Sequence, residues 1–225
     1  MLRNGLAAVA FGVLGILSSA WAADLRGTQG VEEAVPHRYF LHIGPAGVLL
    51  DEDADIYVVG NHLDGGTISI KSHLTFAVEA GMFVTPNLAV SFTGGLPPSI
   101  KIEADGVMKD VGRVGATTYG PMTLTAHYHF TGLGRLQPYI GAGPTFMYVF
   151  DDKDGVMGDL KIDHTVGFAV QVGADYMITD QWGIFFDVKK AYLRTEATGT
   201  LGGYAVKADV KLDPLVLHTG VTFRF

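Results

Sequence analysis

Apolar and polar residues alternate with a period of two over unusually long runs of this chain. From Met122 to Phe130 the even positions are Met122, Leu124, Ala126, Tyr128 and Phe130, and the odd ones are Thr123, Thr125, His127 and His129. Val166, Phe168, Val170, Val172, Ala174 and Tyr176 share one side of the next such run, against Gly167, Ala169, Gln171, Gly173 and Asp175. Leu74, Phe76, Val78, Ala80, Met82 and Val84 form a third apolar side, opposite Thr75 and Glu79. A period of two is the strand period, and strands of about ten residues with one apolar face are the signature of a transmembrane barrel. Strands of soluble sandwiches alternate too, but average only about five to six residues.

This reading predicts eight strands, at about 38–50, 68–84, 88–102, 121–131, 137–150, 164–178, 181–194 and 207–225. Connections near 85–87, 132–136 and 179–180 are short, whereas 51–67, 103–120, 151–163 and 195–206 are long. Short turns on one side and long loops on the other suit an outer-membrane barrel, which has an even strand number in single bacterial chains. The expected fold is therefore all-β: an eight-stranded antiparallel transmembrane β-barrel with short periplasmic turns and long extracellular loops. Charge follows the same division. Asp51, Glu52, Asp53 and Asp55 fall in the first long loop, and Asp151, Asp152, Asp154, Asp159 and Asp163 in the third. On the last strand Leu217, Thr219, Val221, Phe223 and Phe225 make one face; His218, Gly220, Thr222 and Arg224 make the other. An amphipathic last strand ending in Phe resembles the signal read by the outer-membrane assembly machinery, with Phe223 and Phe225 as its candidate residues.

The first residues form a separate unit. Arg3 precedes a run from Leu6 to Leu17 that is apolar or Gly throughout, followed by Ser18, Ser19 and Ala20-Trp21-Ala22. A short positive region, an apolar region and a small-x-small site make an export signal, too short to anchor as a membrane span. We expect residues 1–22 to be a signal peptide cleaved after Ala22 and residues 23–225 to be the barrel, exported to a Gram-negative outer membrane. Composition agrees: 48% of residues are hydrophobic and 17% charged, with 30 Gly in 225 residues, too apolar for a disordered chain. A net charge of −7 argues against a nucleic-acid partner, and the lack of Cys excludes disulfides and Cys-ligated metal sites.

Five stretches are similar to the outer membrane protein W (OmpW) family. They are Tyr119-Gly-Pro-Met-Thr-Leu124 with His127-Tyr-His-Phe130, Gln137-Pro-Tyr-Ile-Gly-Ala-Gly143, Gln171-Val-Gly-Ala-Asp-Tyr176, Lys211-Leu-Asp-Pro214 and Gly220-Val-Thr-Phe-Arg-Phe225. The resemblance spans the chain beyond its export signal and implies an eight-stranded barrel that passes small hydrophobic molecules across the outer membrane. The third strand departs from the family pattern in its Gly94-Gly-Leu-Pro-Pro98.

Barrels of eight strands have interiors only wide enough for side chains. His42, Glu79, His127, His129, Asp175, Asp187, Lys189 and Arg224 are expected to face that interior and to pair there, because an unpaired buried charge is costly. Tyr128, Phe130, Tyr176, Trp182, Phe223 and Phe225 are expected on the lipid side as girdle residues. With the lumen plugged, an apolar solute would leave sideways, which needs a break in the ladder. Gly94, Gly95, Pro97 and Pro98 are the candidate gate, since each Pro lacks a ladder donor and Gly packs poorly. The resemblance implies the same route. The plainer reading is that Pro97 and Pro98 merely end a strand.

Catalytic patterns are weak, and neither an enzyme activity nor a cofactor is expected. Asp51, Asp53 and Asp55 mimic the start of a calcium loop, but Ile56 and His62 stand where Gly and Glu are needed. His127 and His129 lack a third metal ligand, and no Gly-x-Ser-x-Gly elbow is present. The expected function is passive uptake of small hydrophobic solutes with lateral release into outer-membrane lipid. The alternative is a structural or adhesive barrel whose acidic loops bind a partner or cations.

Overall fold

The computed structural model describes residues 37–225, so the expected signal peptide and its cleavage site lie outside the described residues. In chain order the strands are β1 (Tyr39–Leu49), β2 (Asp53–Val58), β3 (Asn61–His62), β4 (Gly66–Ile70) and β5 (His73–Phe83). They continue with β6 (Leu88–Gly95), β7 (Ser99–Gly106), β8 (Arg113–His129), β9 (Leu136–Asp154) and β10 (Gly158–Ile162). The last are β11 (Thr165–Met177), β12 (Trp182–Tyr192), β13 (Arg194–Leu201), β14 (Tyr204–Lys211) and β15 (Leu215–Arg224).

Eight of these close a ring. The antiparallel order β8-β6-β5-β1-β15-β12-β11-β9 is completed by pairing of β9 with β8, and the termini meet where β1 pairs with β15 from Phe40↔Arg224 to Leu49↔Leu215. Closure leaves this part of the sheet without an edge, as a lipid environment demands. The alternation read from the sequence sets the two faces. Val166, Val172 and Leu124 are 66%, 55% and 49% exposed, whereas Ala169, Thr125 and His129 are 0–1% exposed.

Above this ring the wall continues past the membrane. The stretches expected as long loops are mostly strands. A second sheet runs β10-β13-β14-β2-β3, and β4 and β7 add to the upper half of β8. The pattern inverts on the way up. Within the membrane zone the outside is apolar and the inside polar. On β14, Lys207 and Asp209 point outward while Val206, Ala208 and Val210 are buried inside. Water bathes this outer surface, so the apolar side turns in, and charges that look like loop residues are the wet face of strands. The β13–β14 hairpin turns on Gly202 and Gly203, with φ of +59° and +87°, a two-residue turn that needs positive φ at both positions.

Two seams in this extension are closed by carboxylates instead of ladder bonds. Leu160 N–H donates to Asp154 Oδ1 and Ile162 N–H to Asp152 Oδ2, both at 2.9 Å, joining β10 to β9. Ile70 N–H donates to Glu52 Oε1 at 2.8 Å, joining β4 to the start of β2. Part of the acidity expected in loops thus satisfies the backbone of exposed strand edges. The expected third strand, 88–102, is also not continuous. It divides into β6 and β7, with Leu96, Pro97 and Pro98 in neither.

Candidate functional site

The barrel interior is stratified into a polar floor and an apolar cup. The floor is built where β1, β5, β8, β11, β12 and β15 turn polar side chains inward. His42, Glu79, His129, Asp175 and Asp187 are completely buried, His127 is 1% exposed and Lys189 5%. Glu79 is the hub. It accepts from Ser91 Oγ at 2.6 Å and Gln171 Nε2 at 3.2 Å, with His127 Nε2 at 3.2 Å and Lys189 Nζ at 3.8 Å. Asp175 is a second hub, held by Arg224 Nη2 at 2.7 Å and facing His42 Nε2 at 3.0 Å. Asp187 accepts from Tyr139 Oη at 3.2 Å. All eight interior residues expected from the sequence come together in this one layer.

Aromatic rings fill the rest of the floor. His127 stacks on Tyr139 at 5.2 Å, and His42 stacks on Phe185 at 4.3 Å. The Gly-rich motifs make room for this stack. A Cβ at Gly141 would lie 2.7 Å from His127 Cδ2. One at Gly173 would meet the Tyr139 ring. Gln171, expected inward with the polar side of its strand, completes the floor together with Tyr139, Ser91 and His218, which were not expected there. His218 shares its strand face with Arg224, and that parity was the signal that could have found it.

Over the floor lies an apolar cavity of about 120 Å³. Val48 on β1, Ile70 on β4, Ile102 on β7, Met147 on β9, Leu160 on β10 and Val210 on β14 represent its lining, in which no charged side chain takes part among the described residues. It is formed by the inward faces of the extension, so the inversion of pattern along the wall is what creates it.

The wall is interrupted at the level where cup meets floor. The β6–β8 register runs to Gly94↔Met122 and resumes as β7–β8 at Ser99↔Thr118. Between them Leu96 N–H donates to Phe76 O at 2.9 Å, Thr75 Oγ1 donates to Leu96 O at 2.9 Å, and Tyr119 N–H donates to Pro98 O at 3.3 Å. Gly94 and Gly95 still pair with β5, opposite Val78 and Ala77, so the interruption itself is Leu96–Pro98. None of Gly94, Gly95, Pro97 and Pro98 lines the cavity; Thr117, Tyr119 and Pro121 of β8 do so beside them.

The expected girdle residues lie outside, with Tyr128, Phe130, Tyr176 and Trp182 between 43% and 51% exposed. Phe225 stacks on Tyr39 at 5.7 Å and Phe223 packs on Trp182 at 4.3 Å, a belt at the end of the barrel carrying the short turns.

The OmpW family profile matches residues 38–225, the whole of the barrel and its extension. The chain belongs to the OmpW family. Among curated relatives it is 33% identical over 175 residues to outer membrane protein AlkL of Ectopseudomonas oleovorans, covering 78% of this chain and 76% of that one. It is 31% identical over 183 residues to the dibenzothiophene metabolism operon protein PahQ of Pseudomonas aeruginosa, covering 81% and 86%. The solid-state NMR structure of AlkL in lipid bilayers superposes with a TM-score of 0.70 at 28% identity over 93% of this chain and 97% of that one. The crystal structure of OprG from Pseudomonas aeruginosa superposes with a TM-score of 0.78 at 22% identity, covering 84% and 97%, and shares the fold. This OmpW-family chain is an outer-membrane β-barrel.

Proposed function

We propose that the protein is a passive, non-enzymatic channel for small hydrophobic molecules, which occupy the cup from outside and leave sideways into outer-membrane lipid. The observation that carries this reading is the arrangement at one level of the barrel: an apolar cup above, a charged and packed floor below, and a wall interrupted at Leu96–Pro98 between them. An apolar solute gains roughly 25 cal/mol per Å² buried in the cup and about as much in lipid. It gains nothing by crossing the floor, where it would displace buried ion pairs. Gly94, Gly95, Pro97 and Pro98 are read as the gate region, with the eight floor residues as the seal against water and ions. The name of PahQ, which ties that relative to dibenzothiophene metabolism, fits a hydrophobic solute class. Phe223 and Phe225 remain our candidate signal for the assembly machinery.

Replacing Pro97 by Val and Pro98 by Thr restores two ladder donors and tests the gate. The barrel should fold, shown by heat-modifiable mobility on gels, and whole-cell uptake of naphthalene should fall. Unchanged uptake through a folded barrel would leave the prolines as strand punctuation and exclude this exit.

A further inference from the structure

A second feature sits behind the interrupted wall, on the inside. His73 opens β5 and Tyr119 lies on β8, and both occupy the inward parity of their strands, in line with Ala77 and Glu79 and with Thr123 and Thr125. The order around the ring is β5-β6-β8, so β6 and its continuation separate the two residues. Their side chains nevertheless meet. Tyr119 Oη lies 3.3 Å from His73 Nε2, and the rings stand edge to face at 6.3 Å. Such a contact has to pass across the inner surface of the strand between.

Its height on the wall is fixed by register. Leu96 is bonded to Phe76 and Thr75, and Tyr119 N–H to Pro98 O, so the pair lies at the level of the Leu96–Pro98 interruption. Tyr119 also lines the cup, which places its ring between cavity and break. The His73 ring is oriented from its far side. Nδ1 lies 3.4 Å from Lys71 O and donates to it, leaving Nε2 to accept the Tyr119 hydroxyl.

We propose that Tyr119 and His73 form a bar across the inner mouth of the lateral opening and thereby set the bulk of solute that leaves through it. The proposal rests on the lateral route of the proposed function and names the residues that make that route selective. A slender or flat two-ring solute passes beside the bar; a broader one requires it to part. The bar is held by one neutral hydrogen bond of ordinary net strength, so its removal shifts the parted state by roughly two- to tenfold.

The test compares uptake of naphthalene and of pyrene by cells producing the full chain, after subtracting uptake by cells without it. Tyr119→Phe removes the hydroxyl and keeps the ring; His73→Leu removes the acceptor. In each, the ratio of pyrene to naphthalene uptake should rise by roughly two- to tenfold, and the double variant should rise no further than either single one. In the opposite direction, a Tyr119→Cys/His73→Cys variant can be bridged by a short bifunctional thiol reagent, selectively because the chain has no other Cys. Bridging should stop pyrene uptake, and the unbridged variant should allow it. Folded Tyr119→Phe and His73→Leu barrels with the wild-type ratio would overturn the bar while leaving the lateral route intact. Naphthalene uptake that survives Pro97→Val/Pro98→Thr would overturn the route and the bar together.

Discussion

Removing the charge of Glu79 should destabilise the barrel through the cation it leaves behind. Glu79 is wholly buried and Lys189 nearly so, with 3.8 Å between Oε2 and Nζ. At an effective dielectric of about 20 two unit charges at that distance attract by about 4 kcal/mol. Glu79→Gln keeps the shape of the side chain but turns one of its two acceptor oxygens into a donor, and it leaves Lys189 with Thr93 Oγ1, at 2.8 Å, as its remaining close partner. Breaking one side of a buried pair typically costs about 3–5 kcal/mol, because the desolvation of the other charge is no longer offset. We expect a loss of about 3–4 kcal/mol for Glu79→Gln, and recovery of most of it in Glu79→Gln/Lys189→Met, which removes the orphan charge. Urea unfolding in lipid vesicles, followed by the fluorescence of lipid-facing Trp182, measures both. Single-channel recording in planar bilayers should show Glu79→Gln passing ions more readily than wild type. If the single variant unfolds within about 1 kcal/mol of wild type, water screens the pair, and the floor is not the dry seal inferred from its burial.

Other parts of the wall carry their own expectations. Phe168 is 49% exposed on the lipid side of β11, so Phe168→Arg should impair insertion by roughly 2–4 kcal/mol, read from folded yield in vesicles; normal insertion of it alongside failure of Arg224→Ala would reverse the assignment of lipid and lumen faces. Asp152→Ala with Asp154→Ala removes the acceptors of Ile162 and Leu160 N–H, worth about 1–3 kcal/mol each, so hydrogen exchange at these two amides should quicken by roughly ten- to a hundredfold. His62, on the extracellular β3, is raised above its ordinary 6.5, chiefly by its hydrogen bond to Asp64 and then by Asp55, against some desolvation. The protonated ring is the favoured form, so this tie is complete below the ordinary value and is lost as pH rises through the raised one. An NMR titration should show the raised midpoint, and Asp64→Ala should return it towards 6.5.

The membrane zone was legible because lipid enforces a strict rule. Any charge on Leu74, Phe76, Val170 or Val172 would be penalised, so parity alone separates outside from inside, and His42, Glu79, Asp175 and Lys189 follow from it. The extension was not legible for the same reason. Above the lipid the rule reverses: Asp53 and Asp55 on outward positions read as loop although Ala54 and Ile56 keep the period of two, and Lys207 and Asp209 were run into the last membrane strand although Val206 and Ala208 carry the inverted phase of a separate β14. Searching for the inverted phase would have found β2 and β14. The pairings inside the floor were out of reach for another reason. Glu79 meets Gln171 and Lys189 only after ring closure brings β5, β11 and β12 face to face, and no local pattern encodes that. The interruption at Pro97 and Pro98 was legible because proline leaves a chemical mark on a ladder. The bar behind it was not, since His73 and Tyr119 become neighbours only across the strand between them.

Proline is also the residue that can open such a wall without penalty from the lipid. A ladder broken between ordinary residues would leave N–H groups unpaired in hydrocarbon, each costing several kcal/mol. Pro97 and Pro98 have no N–H to leave. Groups beside them find partners: Leu96 N–H and O are bonded to β5, and Pro98 O accepts from Tyr119. The interruption is thus made by withdrawing donors instead of stranding them, and it can persist in the closed barrel. Its position matters as much. A break higher up would release solute where water bathes the outer wall, and one lower down would expose the ion pairs of the floor to lipid. On the proposed route, a solute at the boundary between cup and floor would move from one apolar surrounding to another, so its transfer would be close to neutral and would need no coupled energy source. Concentration alone would then drive the proposed uptake, provided the cup holds the solute no more tightly than the membrane that receives it.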